Sequence, residues 1–395
     1  MSKFNRGYKF RIYPTEGQAK QIDKYIDLFR YVYNWGIAKQ EERYKQYKNG
    51  LCKYGSYNYM ELCYLLQEER AKSENKWLCE IPLLTSKLAL RNVINNYRRF
   101  FNKASTHSPR FKKKNKCKKS FNTRNNRFSL INDSIKIEGI KTRISLNFDS
   151  GLILNTATNP VISKDNLGNY YVSFNIEEES KSLNIPKTEG IGIDLGVRQT
   201  FTLSTGEIYS QPKEKLDKLD RRLKLINRHI TRDVNRRFEE SKHTKTKYED
   251  IPKSKRAIKR ELKRDKLYRK KHNIKDTFYH TITKRIVDRN PKFVCMETFR
   301  VRKIQRDNLF ISDKISQVSF YDITQKVKEK CEARNIPFIQ APVEFPSTKK
   351  CNNCGNEKDL HGYHTYKCPV CGMKIDRDIN AAINLMNYGS LIMTE

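Results

Sequence analysis

The sequence predicts an α+β chain of two or three domains, in which a strand-rich module is split by a helical insertion and followed by a region that carries the chemistry. Three observations lead there. Along the first half, hydrophobic periodicity switches from two residues to about 3.6 and back again. With 395 residues, 37% hydrophobic and 11% aromatic, there is material for more than one core. A glycine-flanked Asp on a strand near Gly190 is answered far downstream by two Cys-x-x-Cys pairs that run into an acidic helix start.

The elements follow in order. Tyr8-Lys9-Phe10-Arg11-Ile12-Tyr13 alternates as a strand and stops at Pro14. From Thr15 to about Phe101 the apolar spacing is helical, with Ile22, Ile26 and Phe29 followed by Val32 and Trp35. Short strands take over between about Phe128 and Glu177, at residues 134–137, 143–146 and 170–176, the last entered through a turn at Asn166-Leu167-Gly168-Asn169. Residues 181–189 read as a linker. In the following strand Ile191, Ile193, Leu195 and Val197 share one face and Asp194 takes the other, between Gly192 and Gly196. Side chains so small would let an ion or a phosphate approach that carboxylate closely. Residues 200–203 and the turn at Ser204-Thr205-Gly206 suggest a hairpin. Residues 293–297 follow Pro291 as a buried strand that delivers Glu297 at its end. The last helix starts at Asp378 and runs through Met386. Asp378, Ala381, Ala382 and Leu385 share one of its faces, so the alanines can press on a sheet while Asp378 leans over its edge.

Charge narrows the partner. Lys and Arg number 80 against 44 Asp and Glu, a formal charge of +36, which points to a polyanion and most often to nucleic acid. The excess is not a mere tail: between Ile81 and Asn132 fourteen Lys and Arg occur and no acidic residue does. Tyr97, Phe100, Phe101, Phe111, Phe121 and Phe128 are interleaved there, able to stack on bases or to pack a core. No stretch approaches the length of a membrane span, and the first residues lack the apolar core of a signal peptide.

Of ten cysteines, six are scattered without framework spacing, as expected of reduced thiols in a cytosol-like compartment. The other four are Cys351/Cys354 and Cys368/Cys371, with thirteen residues between the pairs. Thiolates so spaced close a tetrahedron around one zinc ion, with no open position for water, so this metal holds structure and does no chemistry. Gly355 and Gly372 each follow a pair where the turn favours positive φ.

Asp194, Glu297 and Asp378 sit on a first strand, a later strand and a closing helix. Together they can bind two divalent cations for in-line phosphodiester hydrolysis, and hard oxygen ligands suit magnesium or manganese. Singly, Asp194 could cap a turn, Glu297 could end a surface strand and Asp378 could cap its helix.

The chain resembles TnpB, the RNA-guided nuclease family encoded by insertion sequences and related to the type V CRISPR effectors. The matching segments are Tyr8-Lys9-Phe10-Arg11-Ile12-Tyr13-Pro14-Thr15, Phe29-Arg30-Tyr31-Val32-Tyr33-Asn34, Pro109-Arg110-Phe111-Lys112, Gly192-Ile193-Asp194-Leu195-Gly196 and Met296-Glu297. Further on come the two Cys-x-x-Cys-Gly pairs and, most specific, Asp376-Arg377-Asp378-Ile379-Asn380-Ala381-Ala382-Ile383-Asn384. The resemblance implies a split OB-like wedge β-barrel (1–14 and 126–185) with a helical recognition lobe inserted (15–125). An RNase H-like (RuvC) α/β nuclease domain (186–345 and 374–395) would follow, with an inserted zinc ribbon (346–373).

It also implies a guide RNA from the element's end, a short target-adjacent motif read on double-stranded DNA, and guide pairing that chooses the target. By motif position Asp194, Glu297 and Asp378 would bind Mg2+ (or Mn2+), and Cys351, Cys354, Cys368 and Cys371 would bind Zn2+. Asp378 is preferred to Asp376 because the family's last carboxylate lies two residues before Asn-Ala-Ala, which leaves Asp376 a supporting role. One departure is Glu297-Thr298-Phe299, where the family more often has Asp or Asn and then Leu. A monomer acting in the bacterial cytosol, with no membrane partner, is expected.

Rival readings differ in what they require. Gly192-Ile193-Asp194-Leu195-Gly196 also opens actin-like ATPases, but those need further glycine-rich phosphate loops, and the 16 glycines here form no second such cluster. A non-cutting RNA-guided repressor would have lost one of the carboxylates. A CRISPR-encoded miniature effector would share the chemistry and differ in guide source. Tyr57, Tyr59 and Arg124 could touch bases, but no spacing selects them; Asp322 and His364 read as ordinary surface or turn residues.

Overall fold

The computed structural model describes residues 3–105, 107–114, 116–125, 128–131, 133–147, 157–179, 186–299, 318–359 and 364–394. Most of the expected linker, residues 181–185, lies outside them. The chain divides into two compact units, Asn5–Glu177 and Glu178–Glu395, the latter joined by the first four residues.

In the first unit, β1 (Lys3–Tyr13) leads into α1 (Glu16–Lys48), α2 (Tyr59–Ala71), a 3-10 segment (Ser73–Glu80) and α3 (Leu83–Phe101). The strand stops at Pro14, and Thr15 with Gln18 forms a reciprocal capping box that starts α1. The predicted stripe of Ile22, Ile26, Phe29 and Val32 is buried with Ala89, Leu90 and Val93 of α3. Gly36 lets the two helices cross closely, since a Cβ there would lie 2.9 Å from Leu90 Cδ2.

After these helices come β2 (Lys119–Asn122), β3 (Phe128–Ile131), β4 (Ser134–Ile137), β5 (Ile144–Leu146), β6 (Thr158–Lys164) and β7 (Tyr170–Glu179). With β1 they form one sheet, ordered β2-β6-β7-β1-β5-β4-β3. The strand-rich module is thus split by helices as expected, with β1 in the middle of the sheet. Sequence reasoning missed β2, β3 and β6. Pro160 hides β6, and the strand tolerates it because the register shifts between Thr158 and Val161.

The second unit holds a five-stranded sheet ordered β10-β9-β8-β11-β12, built from β8 (Ile191–Asp194), β9 (Phe201–Leu203), β10 (Ile208–Tyr209), β11 (Val294–Glu297) and β12 (Phe338–Ala341). β8, β9 and β10 run antiparallel in sequence order. β11 is parallel to both β8 and β12. Between β10 and β11 stand two long helices, α4 (Lys213–Thr244) and α5 (Lys255–Asp288), which pack through Leu219, Leu223 and Leu267. They carry 24 Lys and Arg against 10 Asp and Glu, a surface suited to a polyanion. After α6 (Phe320–Ala333) and β12 come the hairpin strands β13 (Thr365–Lys367) and β14 (Lys374–Asp376), then α7 (Arg377–Thr394).

The period-two alternation of the strands decides what each face of this sheet meets. Ile191, Ile193, Leu195, Val294 and Met296 face the helices α5 and α6, in a core with Tyr279, Ile286, Phe320 and Val327. Phe293 and Cys295 face the other way and pack with Leu385 of α7. Asp194 and Glu297 belong by the same alternation to the α7 side.

Candidate functional site

Three elements converge at one end of this sheet. β8 and β11 pair in register from Ile191 and Val294 through Ile193 and Met296, so their next residues, Asp194 and Glu297, end adjacent strands. Helix α7 crosses the same face with Ala381 and Ala382 fully buried against β8. The crossing is very close. A Cβ on Gly192 would sit 1.9 Å from the Ala382 carbonyl oxygen, and one on Gly196 would meet the Gln199 carbonyl at 2.6 Å. This corrects the expectation that both glycines open Asp194 to an approaching ion: Gly192 admits the helix, and Gly196 permits the turn before β9.

The electrostatics mark the three carboxylates as neighbours. Asp194 is only 6% exposed. Burial, then the charges of Glu297 and Asp378, hold its carboxyl well above the usual range, and Arg377 offsets this only partly. Burial also pushes Glu297 up to about 7, although the Ser347 hydroxyl donates to its Oε2 at 3.5 Å. Carboxyls that burial and neighbouring like charges push toward the protonated form are suited to exchanging a proton for a hard divalent cation.

Asp376 and Asp378 are sorted by their hydrogen bonds. Asp376 Oδ1 accepts from the backbone N–H groups of Asp378 at 2.9 Å and Ile379 at 3.2 Å, so Asp376 caps α7. Asp378 is thereby relieved of capping and lies in the first turn of the helix. Its Oδ1 accepts instead from Arg377 Nε at 3.0 Å and Nη2 at 2.9 Å.

Cys351, Cys354, Cys368 and Cys371 bring their sulfurs within 4.8 Å of one another, and among the described residues no other group of three or more His, Cys, Asp or Glu is so close. The three carboxylates stand further apart. Cys351 and Cys371 Sγ are 3.7 Å apart, and Cys354 and Cys368 Sγ 3.5 Å. A zinc tetrahedron with the usual sulfur bonds has edges of about 3.8 Å, so the set fits the ion. The two halves repeat one turn: Gly355 N–H bonds to the Cys351 carbonyl and Gly372 N–H to that of Cys368, with φ of 75° and 72° at the glycines. Hydrogen bonding from the Met373 backbone and the Asn353 side chain holds the Cys371 thiol down at about 6. The cysteine hairpin extends through β14 to Asp376, past the expected boundary at 373.

Several residues here were not found from sequence. Ser347, Asn380 and Asn384 are buried polar groups, Ser347 touching Glu297, and Arg377 pairs with Asp378. Two had a readable sign, because asparagines four apart inside a helix are poor helix formers that need another reason to be there. His364 lies on the hairpin, its carbonyl accepting from Arg377 N–H at 2.8 Å and its ring meeting Arg198 at 3.0 Å. Asp322 is exposed on α6. Tyr57, Tyr59 and Arg124 belong to the other unit. The Arg43 and Arg91 guanidiniums cover the rings of Tyr57 and Tyr59.

The fold is similar to that of the protein in a Cas12f1–sgRNA–target DNA complex: 98% of this chain aligns with 99% of that one, at a TM-score of 0.50 and 12% identity. Residues 320–385 match the Cas12f1-like TNB domain. Residues 1–49 match the helix-turn-helix domain model of the IS605 OrfB proteins, although here they fold as β1 and one long helix. Among relatives, a protein of Streptomyces pristinaespiralis named as a candidate RNA-guided DNA endonuclease is 27% identical, over 98% of this chain and 90% of that one. InsQ of Escherichia coli K12, named likewise, is 22% identical over 98% and 93%. These matches make the chain similar to the TnpB-like and Cas12f1-like proteins.

Proposed function

We propose that this protein is an RNA-guided DNA endonuclease of a mobile element, cutting target DNA beside a short target-adjacent motif with magnesium or manganese held by Asp194, Glu297 and Asp378. The observation that carries the reading is the meeting of these three carboxylates on one face of the sheet, in a chain with a formal charge of +36. In a solvated structural role Asp194 would not need to be buried beside the other two.

The strand order, with three antiparallel strands followed by two parallel ones, supports assigning 186–345 and 374–395 to an RNase H-like RuvC domain. The seven-stranded sheet and its helical insertion support a wedge at 1–14 and 126–185 and a recognition lobe at 15–125. The four cysteines would hold zinc in a ribbon at 346–373. Divalent cations, when bound, supply activation of the attacking water and stabilisation of the leaving oxygen. The chain's own residues do the rest. Asp194, Glu297 and Asp378 would hold the cation, Arg377 limits the negative charge on Asp378, and Ala381 and Ala382 seat α7 so that Asp378 reaches the strand ends. Guide pairing selects the sequence, while the basic surfaces of both units grip backbone phosphates without reading bases.

The test is to purify the chain with RNA expressed from its own locus, sequence that RNA, and replace its guide segment. Cutting of a plasmid should move to the site matching the new guide. Cutting that ignores the guide, or a preparation free of RNA, would reduce the protein to an unguided nuclease or less.

A further inference from the structure

The two asparagines of the last motif join the cysteine cluster to the nuclease carboxylates. Asn384 is 3% exposed and donates through Nδ2 to the Ser347 carbonyl at 2.8 Å and the Lys350 carbonyl at 2.7 Å. Asn380 is fully buried; its Nδ2 donates to the same Lys350 carbonyl at 2.7 Å, and its Oδ1 accepts from Asn352 N–H at 3.1 Å. Lys350 and Asn352 flank Cys351, so Asn380 grips the backbone on both sides of that cysteine and Asn384 grips it on one. Ser347, itself 3% exposed, turns its hydroxyl to Glu297 Oε2. On α7, Asn380 and Asn384 are four residues apart and share a face beside the one that carries Ala381, Ala382 and Leu385. The helix also starts directly from the hairpin strand β14.

Asparagine is an unfavourable choice at two interior helix positions, and burying its amide costs unless every bond is made. Here both Nδ2 groups and the Asn380 Oδ1 are bonded, and all of these bonds go to the backbone around Cys351 and Ser347. We propose that Asn380 and Asn384 are positioning residues that lock α7 to the first cysteine turn, so that the four-thiol site fixes where Asp378 stands and, through Ser347, where Glu297 stands. The metal that cuts is then held in place partly by the metal that does not. This rests on the nuclease reading above.

The test uses the full chain with its RNA, and Mn2+ as the probe ion. Asn384→Leu and Asn380→Leu keep the number and branching of the side-chain heavy atoms in a better helix former, so helix propensity cannot account for a loss. Zinc content per chain and target-DNA binding should match wild type, while Mn2+ affinity measured by electron paramagnetic resonance falls by about 10–100-fold, as for other groups that orient ligands. Cleavage should fall in kcat and recover partly at high Mn2+. Ser347→Ala removes only the hydroxyl at Glu297, is expected to fold, and should weaken Mn2+ binding in the same sense. Unchanged Mn2+ affinity and kcat in all three variants would overturn the inference. Wild-type Mn2+ binding that ignores Asp194→Ala would instead overturn the nuclease reading, and this inference with it.

Discussion

Asp194 and Glu297 are held by the fold in a state that disfavours their charge, which makes the metal-free site a source of instability at neutral pH. Both carboxyls bind protons more tightly folded than unfolded. Their stabilising effect is therefore fully present below the ordinary carboxylate range and is lost as pH rises. For Glu297 the loss spans about 4.5 to about 7 and amounts to roughly 3 kcal/mol. Glu297→Gln should raise the melting temperature of metal-free protein at pH 8 and have little effect at pH 4, as scanning calorimetry can show. The same variant should lose the stabilisation that Mg2+ gives wild type, because the amide cannot trade a proton for the ion. In wild type, Mg2+ affinity should rise as pH climbs through 7, a direction that titration calorimetry at three pH values would settle. Equal melting temperatures for wild type and Glu297→Gln at pH 8 would contradict the burial of charge inferred here.

At the scale of elements, the contact between β8 and α7 decides whether the site exists. Gly192→Ala places a methyl group against the backbone of Ala382 and Met386, which only a shift of the whole helix can relieve. The expected cost is about 3 kcal/mol or more, read from urea denaturation, with cleavage lost even where the chain still folds. In the cysteine hairpin, Cys368→Ser should remove zinc and lower stability, and full zinc content in that variant would refute the four-thiol assignment.

What could be read beforehand follows from how local each cause is. β8, β11 and the start of α7 were legible because strand alternation and alanine spacing are written within a few residues. The work of Gly192 was not, since the backbone it admits lies 190 residues further along the chain. Asn380 and Asn384 stood in plain view in the motif, but their partners are carbonyls, which leave no trace in residue identity. The α4–α5 pair escaped because Leu216, Leu219 and Leu223 keep helical spacing inside a run dominated by Lys and Arg.

For the molecule as a whole, charge and guide dependence belong together. The positive surface is shared between the Ile81–Asn132 stretch of one unit and the α4–α5 pair of the other, so RNA affinity should fall steeply with salt, and neutralising Lys and Arg on either should reduce that slope. Among the described residues no helix is long and apolar enough to cross a membrane. Guided cutting at the three carboxylates is the central claim. The most direct measurement is cleavage of a guide-matched plasmid by the RNA-loaded protein in Mg2+, wild type beside Asp194→Ala. Wild type should cut while the variant binds the same target and leaves it intact; cutting that survives in Asp194→Ala would contradict the account.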